Sequence, residues 1–259
     1  MIANEIVSPY FENGAFSGVR VTLGDEDFVI APKDHKCGQK MSWQDAMGSL
    51  NVDNLDTWSC HQIYLAMAYR DEINKLLKDN GGEKFINCWT RDDCSPSYSF
   101  RAHGYMGIVD PFPKIGLCSM RPIKNLKTHI VTTDEIISPY FENGVFAGVR
   151  VTLGDEDFVI APEDYKNGKR MHWDEAMDAL KADNLTTWNH RQICLAMAYR
   201  KEINKVLRNN HSMKLTDSWS CDEHSSLYSF YVLAHIGVID AHPKNSLYRL
   251  RPIKNLKNS

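Results

Sequence analysis

Val7-Ser8-Pro9-Tyr10-Phe11-Glu12-Asn13-Gly14 is written a second time as Ile137-Ser138-Pro139-Tyr140-Phe141-Glu142-Asn143-Gly144, 130 positions further along the chain. The offset never changes: Arg121-Pro122-Ile123-Lys124-Asn125-Leu126-Lys127 returns as Arg251-Pro252-Ile253-Lys254-Asn255-Leu256-Lys257. A unit this long is far beyond the roughly 20–50 residues of a solenoid repeat. It has the size of a domain that buries its own core. The 259 residues therefore read as two domains, 1–129 and 130–259. Any site placed in one half can be checked in the other.

Composition narrows the function. A net charge of -3 gives no cationic excess of the kind a nucleic-acid footprint requires. No apolar run reaches the roughly 20 residues of a membrane span. Met1-Ile2-Ala3-Asn4-Glu5-Ile6 lacks a basic stretch followed by an apolar one, so no signal peptide is visible. None of the seven cysteines is shared: Cys37, Cys60, Cys88, Cys94 and Cys118 face Asn167, His190, Ser218, His224 and Tyr248, while Cys194 and Cys221 face Tyr64 and Arg91. A disulfide cannot then belong to the common fold, and the pattern suits reduced thiols in a reducing compartment or a phage particle.

Within one copy, Val19-Arg20-Val21-Thr22-Leu23 and Phe28-Val29-Ile30 read as a β-hairpin whose solvated tip is Gly24-Asp25-Glu26-Asp27. A helix is expected over 42–50, with Ser42 and Asp45 as a capping pair; the second copy has His172 there, a weaker start. A single long helix is expected over 59–79, because Ile63, Ala66, Met67, Ile73 and Leu77 keep helical spacing and Gly81-Gly82 ends it. Short strands follow around Trp89 and over 98–102, 107–110 and 117–123. Segment 128–134 has neither glycine nor proline and reads as a short connection. The order of elements is α+β. The tryptophans read as core, and Arg121 and Arg251 as structural ion-pair partners.

The two copies diverge unevenly. Residues 4–80 and 134–210 share 52 of 77 positions, whereas 81–129 and 211–259 share 19 of 49. Exposed loops drift after duplication, but here no length has changed, which fits two faces that recognise different ligands. The candidate ligand-binding residues are Arg91, Asp92, Asp93, Arg101, His103 and Tyr105 in the first copy. In the second they are Asp222, Glu223, His224, Tyr231, His235 and His242. They fall in segments 90–97, 101–106 and 111–116, and 220–227, 231–236 and 241–246, all read as loops.

Four landmarks carry a resemblance. They are Met41-x-Trp43-x-x-Ala46-Met47, the Glu72-Ile73-Asn74 helix, Trp89-Thr90-Arg91-Asp92-Asp93 with its copy Trp219-Ser220-Cys221-Asp222-Glu223, and the closing Arg121-Pro122-Ile123. In this order they resemble a bacterial domain family of unknown function found at the end of a collagen-like adhesin, itself similar to C-type lectin-like domains and more distantly to formylglycine-generating enzymes. The resemblance covers roughly 28–126 and 158–256. It implies two tandem C-type-lectin-like domains, each a twisted antiparallel sheet with two helices and a ligand-binding loop face.

Catalysis finds little support in the residues. Cys60 and His61 are adjacent on a helix and point about 100° apart, so neither can activate the other. Cys88 and Cys94 flank Trp89 as an oxidase pair would, yet Ser218 and His224 stand in the second copy. Cys221-Asp222-Glu223-His224, with His211, His235 and His242, offers metal ligands without a recognisable spacing. Asp92-Asp93 and Asp222-Glu223 lack a lectin calcium motif. No cofactor is expected. The chain reads as a non-catalytic recognition or adhesion protein for a protein or carbohydrate ligand, with the two repeats in contact. Two alternatives stay open: an assembly protein built on a pseudo-twofold domain pair, and an enzyme related to formylglycine-generating oxidases.

Overall fold

Asn13 (φ 51°) and Gly14 (φ 78°) turn the chain back on itself and start the first sheet, the residue pair best suited to a tight two-residue hairpin. In this computed structural model, residues 6–126 and 133–256 are described, and the chain divides into two compact units, Met1–Ile130 and Val131–Ser259. The connection at 128–132 and the extreme N-terminus lie outside the described residues. The first unit runs β1 (Val7–Glu12), β2 (Ala15–Leu23), β3 (Glu26–Ile30), α1 (Trp43–Val52), β4 (Asp56–Thr57), α2 (Cys60–Ala68) and α3 (Arg70–Asp79). It closes with β5 (Asn87–Ser95), β6 (Tyr98–His103), β7 (Ile108–Pro113) and β8 (Pro122–Asn125).

The second unit opens on a single helical turn, α4 (Thr133–Ile136), and then repeats the order. It runs β9 (Ile137–Glu142), β10 (Val145–Leu153), β11 (Glu156–Ile160), α5 (Trp173–Ala182), β12 (Thr186–Thr187), α6 (His190–Ala198) and α7 (Arg200–Asn209). Strands β13 (Ser218–Glu223), β14 (Tyr228–Leu233), β15 (Val238–Pro243) and β16 (Pro252–Asn255) complete it. The class is α+β, as the sequence implies. No helix among the described residues is long and apolar enough to cross a membrane.

Each unit carries an antiparallel five-stranded sheet, β1-β2-β3-β8-β4 in the first and β9-β10-β11-β16-β12 in the second. Strand β1 escapes the sequence reading because Pro9 interrupts its alternation. Proline is tolerated there because β1 is an edge strand, where a missing N–H breaks no central ladder. A bulge at Ser17 interrupts the pairing of β1 with β2, and beside it Gly18 lies so near to β3 that a Cβ would sit 2.1 Å from the Ile30 carbonyl oxygen. The meander β5-β6-β7 stands apart from this sheet; the single bridge Cys88↔Ser119 joins β5 to the segment before β8, and Met41↔Cys118 joins that segment to the chain just before α1. The expected strand over 117–123 is thus a bridging segment, and regular pairing begins only at Pro122.

The expected helix over 59–79 is two helices. The break is at Tyr69, where the backbone leaves helical geometry (φ −118°, ψ 27°) and its N–H reaches back only three residues, to Ala66. Residues 62–68 are all buried, whereas α3 buries only Ile73 and Leu77. One straight rod could not bury α2 on every side and keep α3 half wet. The apolar spacing continues across the break, which is why sequence periodicity missed it. Three helices therefore stand where the resemblance implies two. Ser42 caps α1 as expected, accepting from the Asp45 N–H, while His172 makes no such bond at the start of α5.

The tip Asp25-Glu26-Asp27, expected to be solvated, is instead wired into the domain. Arg20 donates to both oxygens of Asp27 at 2.8 and 2.6 Å, and Asp27 is 3 % exposed. The buried Gln62, part of the capping box of α2, donates to Glu26 at 2.9 Å and to Asn125 at 2.7 Å. Arg150, Asp157, Gln192, Glu156 and Asn255 repeat the arrangement in the second unit. Of the tryptophans, Trp58, Trp89, Trp188 and Trp219 are fully buried, and the Trp89 and Trp219 indoles donate to the carbonyls of Met41 and Met171.

The two units end α3 and α7 differently. Gly81 adopts φ 76° and lets the N–H of Gly82 bond to the Leu77 carbonyl at 2.8 Å. His211 is forced into the same left-handed conformation at φ 58°, which costs a residue with a Cβ about 1 kcal/mol. His211→Gly should therefore raise the unfolding midpoint of the second unit by a few degrees in a calorimetric scan, and Gly81→His should lower that of the first by a similar amount.

Candidate functional site

The segments read as ligand loops are mostly strand. Residues 90–95 belong to β5, 98–103 to β6 and 108–113 to β7, so many candidate side chains face other elements instead of water. Asp92 turns inward to accept from the N–H of Cys60 at 2.5 Å, and Asp222 does the same for His190 at 2.7 Å. Each carboxylate thereby satisfies the first turn of an earlier helix, α2 or α6, a structural reason for its presence in both copies. Asp93 and Glu223 hold Lys114 and Lys244 at 2.8 and 3.0 Å, and those ammonium groups sit 4.4 and 4.3 Å over Trp43 and Trp173. Arg91 is exposed and pairs with Asp56 at 3.0 Å. His224 packs edge-on against Phe230, whose other face meets His190.

Arg101, His103 and Tyr231 are corrections of a different kind: Tyr231 packs under α5, and His103 is held by Asn87 at 3.2 Å and Asp110 at 3.5 Å. Arg101 forms a double hydrogen bond with Asp110 (3.3 and 2.9 Å) and lies 3.6 Å over the Phe112 ring. In the second unit Tyr231 takes the position of Arg101 and is only 5 % exposed. It stacks on Tyr248 at 4.6 Å and meets His242 at 5.1 Å, while His242 bonds Ser246. Position by position, Arg101, Phe112 and Cys118 have become Tyr231, His242 and Tyr248. Where the first unit has the small Cys118 and a guanidinium over Phe112, the second has the Tyr248 ring stacked on Tyr231. Part of the divergence is therefore a coupled repacking of the core beneath the first helix.

Tyr105 and His235 are different: they stay in water. Tyr105, 62 % exposed, and Gly104 form one wall of a groove of about 620 Å³, whose other wall is the outer face of α3. Arg70, Asn74, Lys75 and Lys78 face it from the helix, and Lys84 and Ile86 from the segment leading into β5. The second unit has a groove of about 490 Å³ at the same place, between α7 and Ala234-His235, lined by Arg200, Lys201, Asn204, Arg208 and Lys214. His235 there pairs with Asp217 at 2.8 Å. Sequence reasoning placed one residue of each groove and missed the rest. The available signal was Lys84/Lys214, the only identical pair apart from Trp89/Trp219 between 81 and 91.

Four thiols, those of Cys60, Cys88, Cys118 and Cys221, are positioned against reactivity, while Cys37 and Cys94 are exposed. Burial is the main cause that raises the Cys60 thiol far above its ordinary pKa, with Asp92 adding to it. Burial also raises Cys88, and pushes Cys118 and Cys221 up to about 11. In the second unit His190 lies 3.8 Å from Cys194, a juxtaposition at i, i+4, but Cys194 has no exposed surface through which a substrate could reach it. Among the described residues no three His, Cys, Asp or Glu side chains converge to hold a metal ion.

Two outcomes follow from this geometry. Arg101→Tyr alone removes both hydrogen bonds to Asp110 and should destabilise the first unit by about 2 kcal/mol or more in denaturant unfolding, whereas R101Y/F112H/C118Y should recover at least half of that loss. His103 titrates below its ordinary range, chiefly through burial and then through Arg101, with Asp110 only partly opposing. The unfolded chain then binds the proton before the folded one, so stability rises with pH across that window. The first unit should lose stability as pH falls below about 6.5, and His103→Gln should flatten that part of a fluorescence-monitored melting profile. The chain matches no protein-family model and no curated protein.

Proposed function

We propose that the chain is a non-catalytic recognition protein of two C-type-lectin-like modules, each using the groove beside its third long helix as its contact surface. The observation that carries this reading is the recurrence of the groove. Both units have it at the same place, with Arg70/Arg200, Asn74/Asn204 and Lys84/Lys214 unchanged and Lys78/Arg208 alike in charge. The rims differ, Tyr105 against His235, so the two contacts would be related without being identical. Carbohydrate or protein would bind without chemistry, a view supported by the burial that keeps the Cys60 and Cys88 thiols protonated. Two sites on one chain would add avidity for a repetitive ligand.

A second reading, assembly, draws on the hairpin tips. Phe11 and Phe141 are 51 % and 52 % exposed, and each meets a neighbouring ring, Phe16 or Phe146, edge-on at 5.9 Å. Such matched aromatic pairs suit contact with another protein surface. The full chain on glycan and protein arrays should give reproducible capture, with Tyr105→Ala and His235→Ala each removing a different subset of ligands. Silence on both arrays, together with concentration-dependent association that Phe11→Ser and Phe141→Ser abolish in sedimentation, would favour assembly.

A further inference from the structure

The two grooves are cationic in a chain whose net charge is -3. Arg70, Lys75, Lys78 and Lys84 line the first, with Asp71 and Asp79 beside them, and Asp71 is engaged by Arg70 at 3.0 Å. Arg200, Lys201, Arg208 and Lys214 line the second, where no carboxylate is among the lining residues. The two acidic positions have become Lys201 and Asn209, so the difference between the copies moves this surface further towards positive charge. Arg70 and Lys78 are eight residues apart on one helix, which separates them by about 12 Å along its axis. The charges are thus arranged in a row, opposite Lys84 or Lys214. A row of cations suits a ligand with several spaced negative groups better than a single anion.

The chemistry of the remaining walls narrows the ligand. The backbone of 83–86 is already engaged inside the domain. The Glu83 N–H donates to Pro32, the Glu83 and Lys84 carbonyls accept from Arg121, the Phe85 N–H donates to Asn74, and the Ile86 carbonyl accepts from Gly104. These bonds leave few backbone groups of 83–86 for a peptide to pair with as an added strand, so recognition falls mainly to side chains. In the first groove those side chains include an exposed tyrosine ring and the half-exposed Ile86, next to the cations. A sugar acid offers both partners at once: the C–H face of its ring lies against the apolar wall while its carboxylate reaches an ammonium or guanidinium group.

We infer that the paired grooves bind an acidic polysaccharide, a linear chain of carboxylate-bearing sugars, with the second unit the stronger site. This rests on the recognition reading above and adds the ligand class to it. The first test is isothermal titration of the full chain with polygalacturonate, uncharged dextran and poly-L-glutamate at low and physiological ionic strength. Charge reversals divide the contributions: K78E/K84E for the first groove, R208E/K214E for the second, and K40E/R170E at exposed positions elsewhere as a control.

Polygalacturonate should bind more tightly than dextran and weaken as salt is added. Each groove variant should lower the affinity about tenfold, the R208E/K214E variant more than the other, and the control should change nothing. Equal binding of dextran, or indifference of polygalacturonate binding to both groove variants, would sink the inference. If poly-L-glutamate binds more tightly and depends on the grooves, the sugar class falls but the grooves stand as recognition sites. If no polyanion depends on them, the recognition reading at this surface falls as well. Circular dichroism and melting of each variant separate lost binding from lost folding.

Discussion

Arg121 has no exposed surface, yet it carries a charge and five donors to the centre of its domain. Its Nε meets Asp34 at 2.5 Å, its Nη1 donates to the carbonyls of Ala31 and Glu83, and its Nη2 donates to that of Lys84 at 3.0 Å. Arg251 repeats this with Asp164, Ala161 and Lys214. One guanidinium thereby joins β8, the loop after β3 and the segment between α3 and β5. Burial opposes the arrangement: it raises Asp34 above its ordinary pKa against the pull of Arg121, and lowers Arg251. Such a pair contributes little net stability, but losing one partner typically costs about 3–5 kcal/mol, so both copies must keep both members.

The same interaction positions the candidate site. Lys84 and Lys214 stand on the segment whose carbonyls the buried arginines hold, and Asn74 and Asn204 fix its next N–H at 2.8 Å. The groove wall is therefore built on main chain that is held from inside the domain at several points, with the lysine side chain presented outward. Such a wall is rigid, which reduces the entropy lost when a ligand binds. It also explains a contrast between the two ends of each module. The groove keeps its basic positions 70/200, 78/208 and 84/214 across the duplication, and they stand on this frame, while its acidic positions 71 and 79 have become Lys201 and Asn209. The rim residue and the core beneath α1 changed, because they could be exchanged in compensating sets.

Reading the candidate residues in isolation favoured polar side chains in variable segments, and that rule chose unevenly. Asp92, Asp93 and Glu223 look like ligands in sequence because a carboxylate that caps a helix and one that meets a solute carry the same letter. Tyr231 looks like a surface aromatic until β14 is seen to face α5. Tyr105 and His235 were chosen for the same reason and do reach water. The cations of α3 and α7 have the spacing of an ordinary wet helix face, and nothing in a single helix reveals that a turn 30 residues later closes a groove over it.

The sequence by itself determined the duplication, the α+β class, the capped start of α1, the β2–β3 hairpin and the buried tryptophans. These follow from local periodicity, capping and turn chemistry, or from the comparison of two copies with one another. The break at Tyr69, the role of Asp92 and Asp222, and the exchange of Arg101, Phe112 and Cys118 for Tyr231, His242 and Tyr248 were decided only by tertiary structure. Each depends on which element lies opposite a residue, and that is set by packing across dozens of positions of sequence. The grooves belong to this second group: their charges are local, but their walls meet only when the whole domain has folded.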